Sequence, residues 1–145
     1  MLELETLALR VTSVAALALL ANTLLFRGRE RSFIRRLRLA LAGLGVGTVL
    51  WHAVLCLFGA PLTALVPQTL LLALLLASLT TTPAAICLGL RARAWVDVIV
   101  HLRVRSAEEA FLATSTIGAA LGAYVGALPI PLDWDRPWQV AAKTE

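Results

Sequence analysis

Four long apolar runs make up most of the chain, and short segments between them hold most of its charge. A bilayer core about 30 Å thick needs roughly 20 apolar residues of helix. By that measure the runs predict helices over about residues 7–26, 39–60, 68–90 and 107–128. Arg10 is the one charge inside the first run, within a turn of its outer end, where a long side chain snorkels to the interface. Glu3 and Glu5 stand where a signal peptide would carry its basic region, which argues against a cleaved leader. The second run contains His52 and the glycines Gly43, Gly45 and Gly47, and it stops at Gly59-Ala60-Pro61. A short hairpin leads into the third, whose leucine-rich stretch from Leu70 to Leu76 is followed by Thr80-Thr81-Thr82-Pro83. Proline there removes a backbone donor and frees a carbonyl, so a kink compensated by neighbouring threonine hydroxyls is expected. The fourth run opens with a capping box, Ser106-Ala107-Glu108-Glu109, and ends at Pro129.

Composition agrees with this reading. Of 145 residues, 59% are hydrophobic and 15% charged, against about 25% charged in a soluble domain. A chain of this size still exposes roughly 30% of its unfolded area after folding, so a core cannot absorb so much apolar surface. The expected fold is all-α: a single polytopic transmembrane bundle over residues 1–145 with about four membrane-spanning helices.

The formal charge of +4 does not point to nucleic acid, because the cations sit between apolar runs and not along an exposed face interleaved with aromatics. Ten of the thirteen cations gather in two connectors. Arg27, Arg29, Arg31, Arg35, Arg36 and Arg38 lie in residues 27–38; Arg91, Arg93, Arg103 and Arg105 lie in residues 91–106. Threading four helices in order puts both connectors on one side, which the positive-inside rule makes cytosolic. Set against Glu30, Asp97, Glu108 and Glu109, those ten cations leave that side at +6. The other side, with three cations and Glu3, Glu5, Asp133, Asp135 and Glu145, stands at −2, so both chain ends and the tail 129–145 are expected to be non-cytosolic. Cys56 and Cys87 lack CxxC spacing or a neighbouring histidine cluster, and the threading sets them roughly 20 Å apart, near opposite faces, so no disulfide is expected.

Several features carry candidate chemistry. The first arginine connector either fixes topology or attracts anionic head groups. In the second, Trp95, Val98, Ile99 and Leu102 share one face at helical spacing, opposite Arg93 and Asp97, as in a short interfacial helix. Ala110, Thr114, Gly118, Gly122 and Gly126 recur every four residues and form a stripe nearly free of side chains. Such a stripe packs within its own bundle or docks another membrane protein, since helices associate in lipid through close backbone approach. His52, ionisable within a span, is a functional candidate or a structural histidine bonded to a backbone or hydroxyl group. Beyond the fourth helix, Asp133, Trp134, Asp135, Arg136 and Trp138 lie in a proline-stiffened segment that reads equally as an interfacial loop or a head-group site.

That segment, PIPLDWDRPWQV after Gly122-Ala123-Tyr124-Val125-Gly126-Ala127-Leu128, closely resembles the signature of the PIG-F family of GPI-anchor biosynthesis. Phe58-Gly59-Ala60-Pro61-Leu62, the Thr80-Thr81-Thr82-Pro83 run and Ala94-Trp95 occur in the family's order, so the resemblance covers about Leu39 to Val140. It implies a multi-pass endoplasmic reticulum subunit that binds and stabilises GPI ethanolamine phosphate transferases, the PIG-O type and its second-mannose counterpart. Membrane lipids, the GPI precursor among them, are its other implied contacts. The family resembles a six-helix protein; this chain begins near its second helix and leaves the pattern after Gln139-Val140, as a shortened form would.

Residue chemistry points separately to a noncatalytic role. Metal-assisted phosphoethanolamine transfer needs several His and Asp ligands around zinc. This chain has two histidines, His52 in a span and His101 in a connector expected to be cytosolic. No catalytic residue, metal or cofactor is therefore assigned. The alternative is a small lipid-handling or transport protein in which His52 and the hydroxyls of the third helix line a polar path. Two features weigh against it: no acidic or basic residue lies mid-span, and there is no internal repeat.

Overall fold

A computed structural model describes residues 2–26, 32–60 and 66–127, and among these there is no strand. The helices are α1 (Leu2–Leu25), α2 (Phe33–Leu57), α3 (Val66–Leu79), α4 (Thr81–Leu88), α5 (Ala92–Trp95, continued by a π-helical turn Val96–Val100) and α6 (Ala107–Ala127). Three stretches are long and apolar enough to cross a membrane: Glu3–Leu25, Phe33–Leu57 and Val66–Leu88. At 21 residues α6 is about 31 Å long, a fourth segment of spanning length, with Glu108 and Glu109 in its first turn.

Two helix starts differ from the sequence pattern. The first begins at Leu2, because Glu3 and Glu5 suit the positive end of a helix dipole and need not lie outside it. The second begins at Phe33, six residues before Leu39, so Arg35, Arg36 and Arg38 belong to helix and not to connector. Arginine is a good helix former, and its length lets the charge reach the interface from inside a helix.

The third span is the centre of the bundle. Of its most apolar window 61% is buried, against 22% for the second span and 6% for the first, whose leucines Leu9, Leu17, Leu24 and Leu25 face outward. In water so much exposed apolar surface would be costly; in a bilayer it meets lipid tails. α6 leans on the others at both ends. The ring of Phe26, just after α1, lies 5.8 Å from that of Phe111, and Phe58, just after α2, lies 5.9 Å from Tyr124 in an edge-to-face pair. These contacts put the start of α6 level with the end of α1 and the start of α2. Arg35, Arg36 and Arg38 thus share one end of the bundle with the connector from α4 to α6.

The capping box at α6 forms with one substitution of partner. Ser106 Oγ accepts from the Glu109 N–H at 3.2 Å, but the Glu109 carboxylate reaches past the cap residue to the N–H of Arg105 at 2.7 Å.

Candidate functional site

The closest helix packing is built from α2 and the broken third span. On α2 the buried positions are Ala40, Gly43, Gly47 and Trp51, a helical stripe of small residues closed by an indole. Opposite them stand Ala73, Ala77, Thr81 and Ala85. A Cβ built on Gly43 would lie 2.5 Å from Ala85 Cβ and 3.0 Å from the Thr81 carbonyl oxygen. One on Gly47 would overlap Thr81 Oγ1 and come within 2.7 Å of Thr81 Cβ. Gly45, on the other side of α2, has open space. Two of the three glycines therefore set how closely the helices approach, as small residues do where van der Waals contact drives association.

The kink expected at Pro83 lies three residues earlier, at Thr80, which separates α3 from α4 with φ −117° and ψ −65°. The polar groups released there are satisfied locally, because hydrocarbon offers no water to do so. Thr81 and Thr82 both donate their hydroxyls to the Ala77 carbonyl, at 2.9 and 3.0 Å. Thr80 donates to the Leu76 carbonyl at 2.7 Å and accepts from the Trp51 indole N–H at 2.8 Å. From α1, Asn22 donates its amide to the Ser78 carbonyl at 2.8 Å. One break thus ties α1, through Asn22, and α2, through Trp51, to the third span.

His52 is half-buried one residue after Trp51, but among the described residues it bonds to neither backbone nor hydroxyl. Its Nε2 lies 3.8 Å from Cys56 Sγ one turn on, and its Nδ1 is buried with no hydrogen-bond partner among the described residues. The threonine hydroxyls are spent on Trp51 and on their own carbonyls, so His52 and the third-span hydroxyls do not form one hydrogen-bonded path. Among the described residues no group of three or more His, Cys, Asp or Glu side chains is placed to hold a metal ion.

On α6, Gly118, Gly122 and Gly126 are exposed, and no described atom lies within 4 Å of a Cβ built on any of them. Their helix is held instead through Leu112 and Ala113, both buried, and through Ala119 and Ala120 beside the Trp51 cluster. The face with the three glycines thus has no partner among the described residues and is bordered by exposed Ile117, Leu121 and Val125. Asp133, Trp134, Asp135, Arg136 and Trp138 lie outside the described residues.

Sequence reasoning found the small-residue stripe of α6 but gave no role to Gly43 and Gly47, whose four-residue spacing carries the same signal. The interfacial helix is also corrected. Trp95 and Val98 pack inward against Ala84, Leu88, Leu112 and Ala113 and do not form an outward interfacial face, and the Trp95 indole N–H donates to the Gly89 carbonyl at 2.6 Å. Leu102 does not share their face, because the helix widens to π winding at Val96 and ends at Val100.

A bundle of long helices that turn apolar side chains outward is a polytopic integral membrane protein. The profile of the GPI biosynthesis protein family Pig-F matches residues 3–141. The chain belongs to that family. It is 46% identical over 90 residues to the human protein named GPI ethanolamine phosphate transferase, stabilizing subunit, a stretch covering 62% of this chain and 41% of that protein. It is 40% identical over 94 residues to glycosylphosphatidylinositol anchor biosynthesis protein 11 of Aspergillus fumigatus, covering 65% and 30%. With the PIGF/3-ketodihydrosphingosine reductase fusion protein of Schizosaccharomyces pombe it shares 35% identity over 113 residues, 72% of this chain and 21% of that protein. The matched stretch thus spans less than half the length of these relatives. No solved structure matches the chain.

Proposed function

We propose that this chain is a noncatalytic membrane subunit that binds and stabilises GPI ethanolamine phosphate transferases, of the PIG-O type and its second-mannose counterpart, in the endoplasmic reticulum. The observation that carries this reading is the open face of Gly118, Gly122 and Gly126. A helix in lipid gains little from burying leucine against leucine, so a side-chain-free face is useful where another backbone comes close. The names of the human and Aspergillus relatives place them in ethanolamine phosphate transfer and GPI-anchor biosynthesis, and two histidines in the whole chain leave the metal chemistry to the partner. Both arginine groups face the cytosol in this reading, and Asp133, Trp134, Asp135, Arg136 and Trp138 lie in the lumen, where they contact the partner or the GPI precursor.

Gly122→Leu fills the open face without touching the inner packing of α6. Co-purification with the transferase from cells should fall at least several-fold, while membrane insertion and the amount of this chain stay at wild-type level. Undiminished co-purification would remove α6 as the docking face. Expression of the chain in cells lacking the endogenous family member, with transferase level and surface GPI-anchored protein as readouts, tests the stabilising role itself.

A further inference from the structure

Between the end of α4 and the start of α6 the connector folds around a cleft of about 760 Å³. Arg91, Arg93, Arg103 and Arg105 line it, together with three carboxylates, so one cation stands in excess. The carboxylates are partly committed. Asp97 pairs with Arg103 at 3.5 Å, and Glu109 accepts the Arg105 backbone N–H. Arg91, Arg93 and the Arg105 guanidinium hold no ion pair among the described residues. Guanidinium groups left in this state present forked donors suited to a phosphate.

The position of the cleft selects the kind of phosphate. Its wall includes Cys87 and Leu88, the last residues of the third membrane span, so it opens at the level where hydrocarbon gives way to head groups. Half-buried Trp95 beside it suits that boundary. The segment that follows alternates apolar and basic residues: Arg103 and Arg105 line the cleft, while Leu102 and Val104 between them are 57% and 40% exposed. Leu102 is also held at φ 51°, a left-handed conformation that non-glycine residues rarely adopt. An exposed leucine at such a position gains nothing from water; beside a bilayer it enters the acyl boundary. We propose that this cleft binds the phosphodiester of an anionic membrane phospholipid, with Leu102 and Val104 lying against its acyl chains.

The test uses the full chain in detergent and native mass spectrometry, with phosphatidylserine, phosphatidylcholine and glycerol 3-phosphate as probes. Phosphatidylserine should be retained more strongly than phosphatidylcholine. At about fivefold per arginine near a lipid head group, R93Q/R105Q should weaken its retention by about 30-fold, while the charge-matched R35Q/R38Q keeps it near wild type. Equal retention of the two phospholipids by the wild-type chain overturns the proposal without recourse to any variant, as does an equal loss in the two arginine pairs. Binding of glycerol 3-phosphate as tight as that of the lipid overturns the lipid assignment in favour of a soluble anion. No transferase is present in this experiment, so its outcome is independent of the partner role.

Discussion

Gly47→Ala should destabilise the bundle by roughly 1–3 kcal/mol or more, the range seen when a packed interior is overfilled, whereas Gly45→Ala on the same helix should not. Both substitutions gain the same helix propensity, about 1 kcal/mol for replacing glycine by alanine. They differ in what the new methyl meets. At position 45 it finds open space; at position 47 it overlaps the Thr81 hydroxyl and crowds Thr81 Cβ and Ala77 Cβ, on either side of the break in the third span. Relief requires the two helices to part, which also loosens Gly43 against Ala85. Thermal denaturation in detergent, followed by size-exclusion chromatography, measures the difference. G47A/T81A should recover part of the loss, because it removes the hydroxyl but leaves a Cβ in place. Equal melting of G47A and G45A would show that α2 does not approach the third span at this point.

Thr80→Val should cost about 1–2 kcal/mol although it preserves shape. The Thr80 hydroxyl accepts the Trp51 indole N–H and donates to the Leu76 carbonyl, and both Trp51 and Thr80 are buried. Valine leaves the indole N–H without a partner, a loss of about 1–3 kcal/mol in protein interiors. Interhelical hydrogen bonds measured in membranes average about 0.6 kcal/mol and reach about 1.7, which brings the estimate to the lower part of that range. Thr80→Ser keeps both bonds and should melt near wild type. Combining T80V with Trp51→Phe isolates the shared bond: if the two losses simply add, Trp51 and Thr80 are not coupled and the link between α2 and the break is absent.

The two stripes of small residues separate what can be read from sequence and what cannot. Gly43 and Gly47, and Gly118, Gly122 and Gly126, have the same spacing, and spacing says only that a backbone is accessible along one face. One stripe is closed by the third span; the other is open among the described residues. The choice depends on which helix lies opposite, a long-range fact that no local pattern holds. The cleft between α4 and α6 is similar. Its arginines are evident as a charged connector, but their convergence follows from the π turn at Val96–Val100 and the left-handed residue Leu102, where the pattern suggests a regular helix.

By itself the sequence determined that this is a helical membrane protein, roughly where its spans run, and to which family it belongs. Those properties follow from apolar run length against bilayer thickness and from motifs contiguous in the chain, so each is a local quantity. The tertiary structure decided which glycines are packed and which are free, that the third span breaks at Thr80 and is tied to α1 and α2 there, and that four arginines share a cleft. In lipid the apolar surface is nearly uniform in energy, so hydrophobicity fixes that a helix crosses the membrane but not its neighbours. Those are chosen by shape and by the few hydrogen bonds that have nowhere else to go.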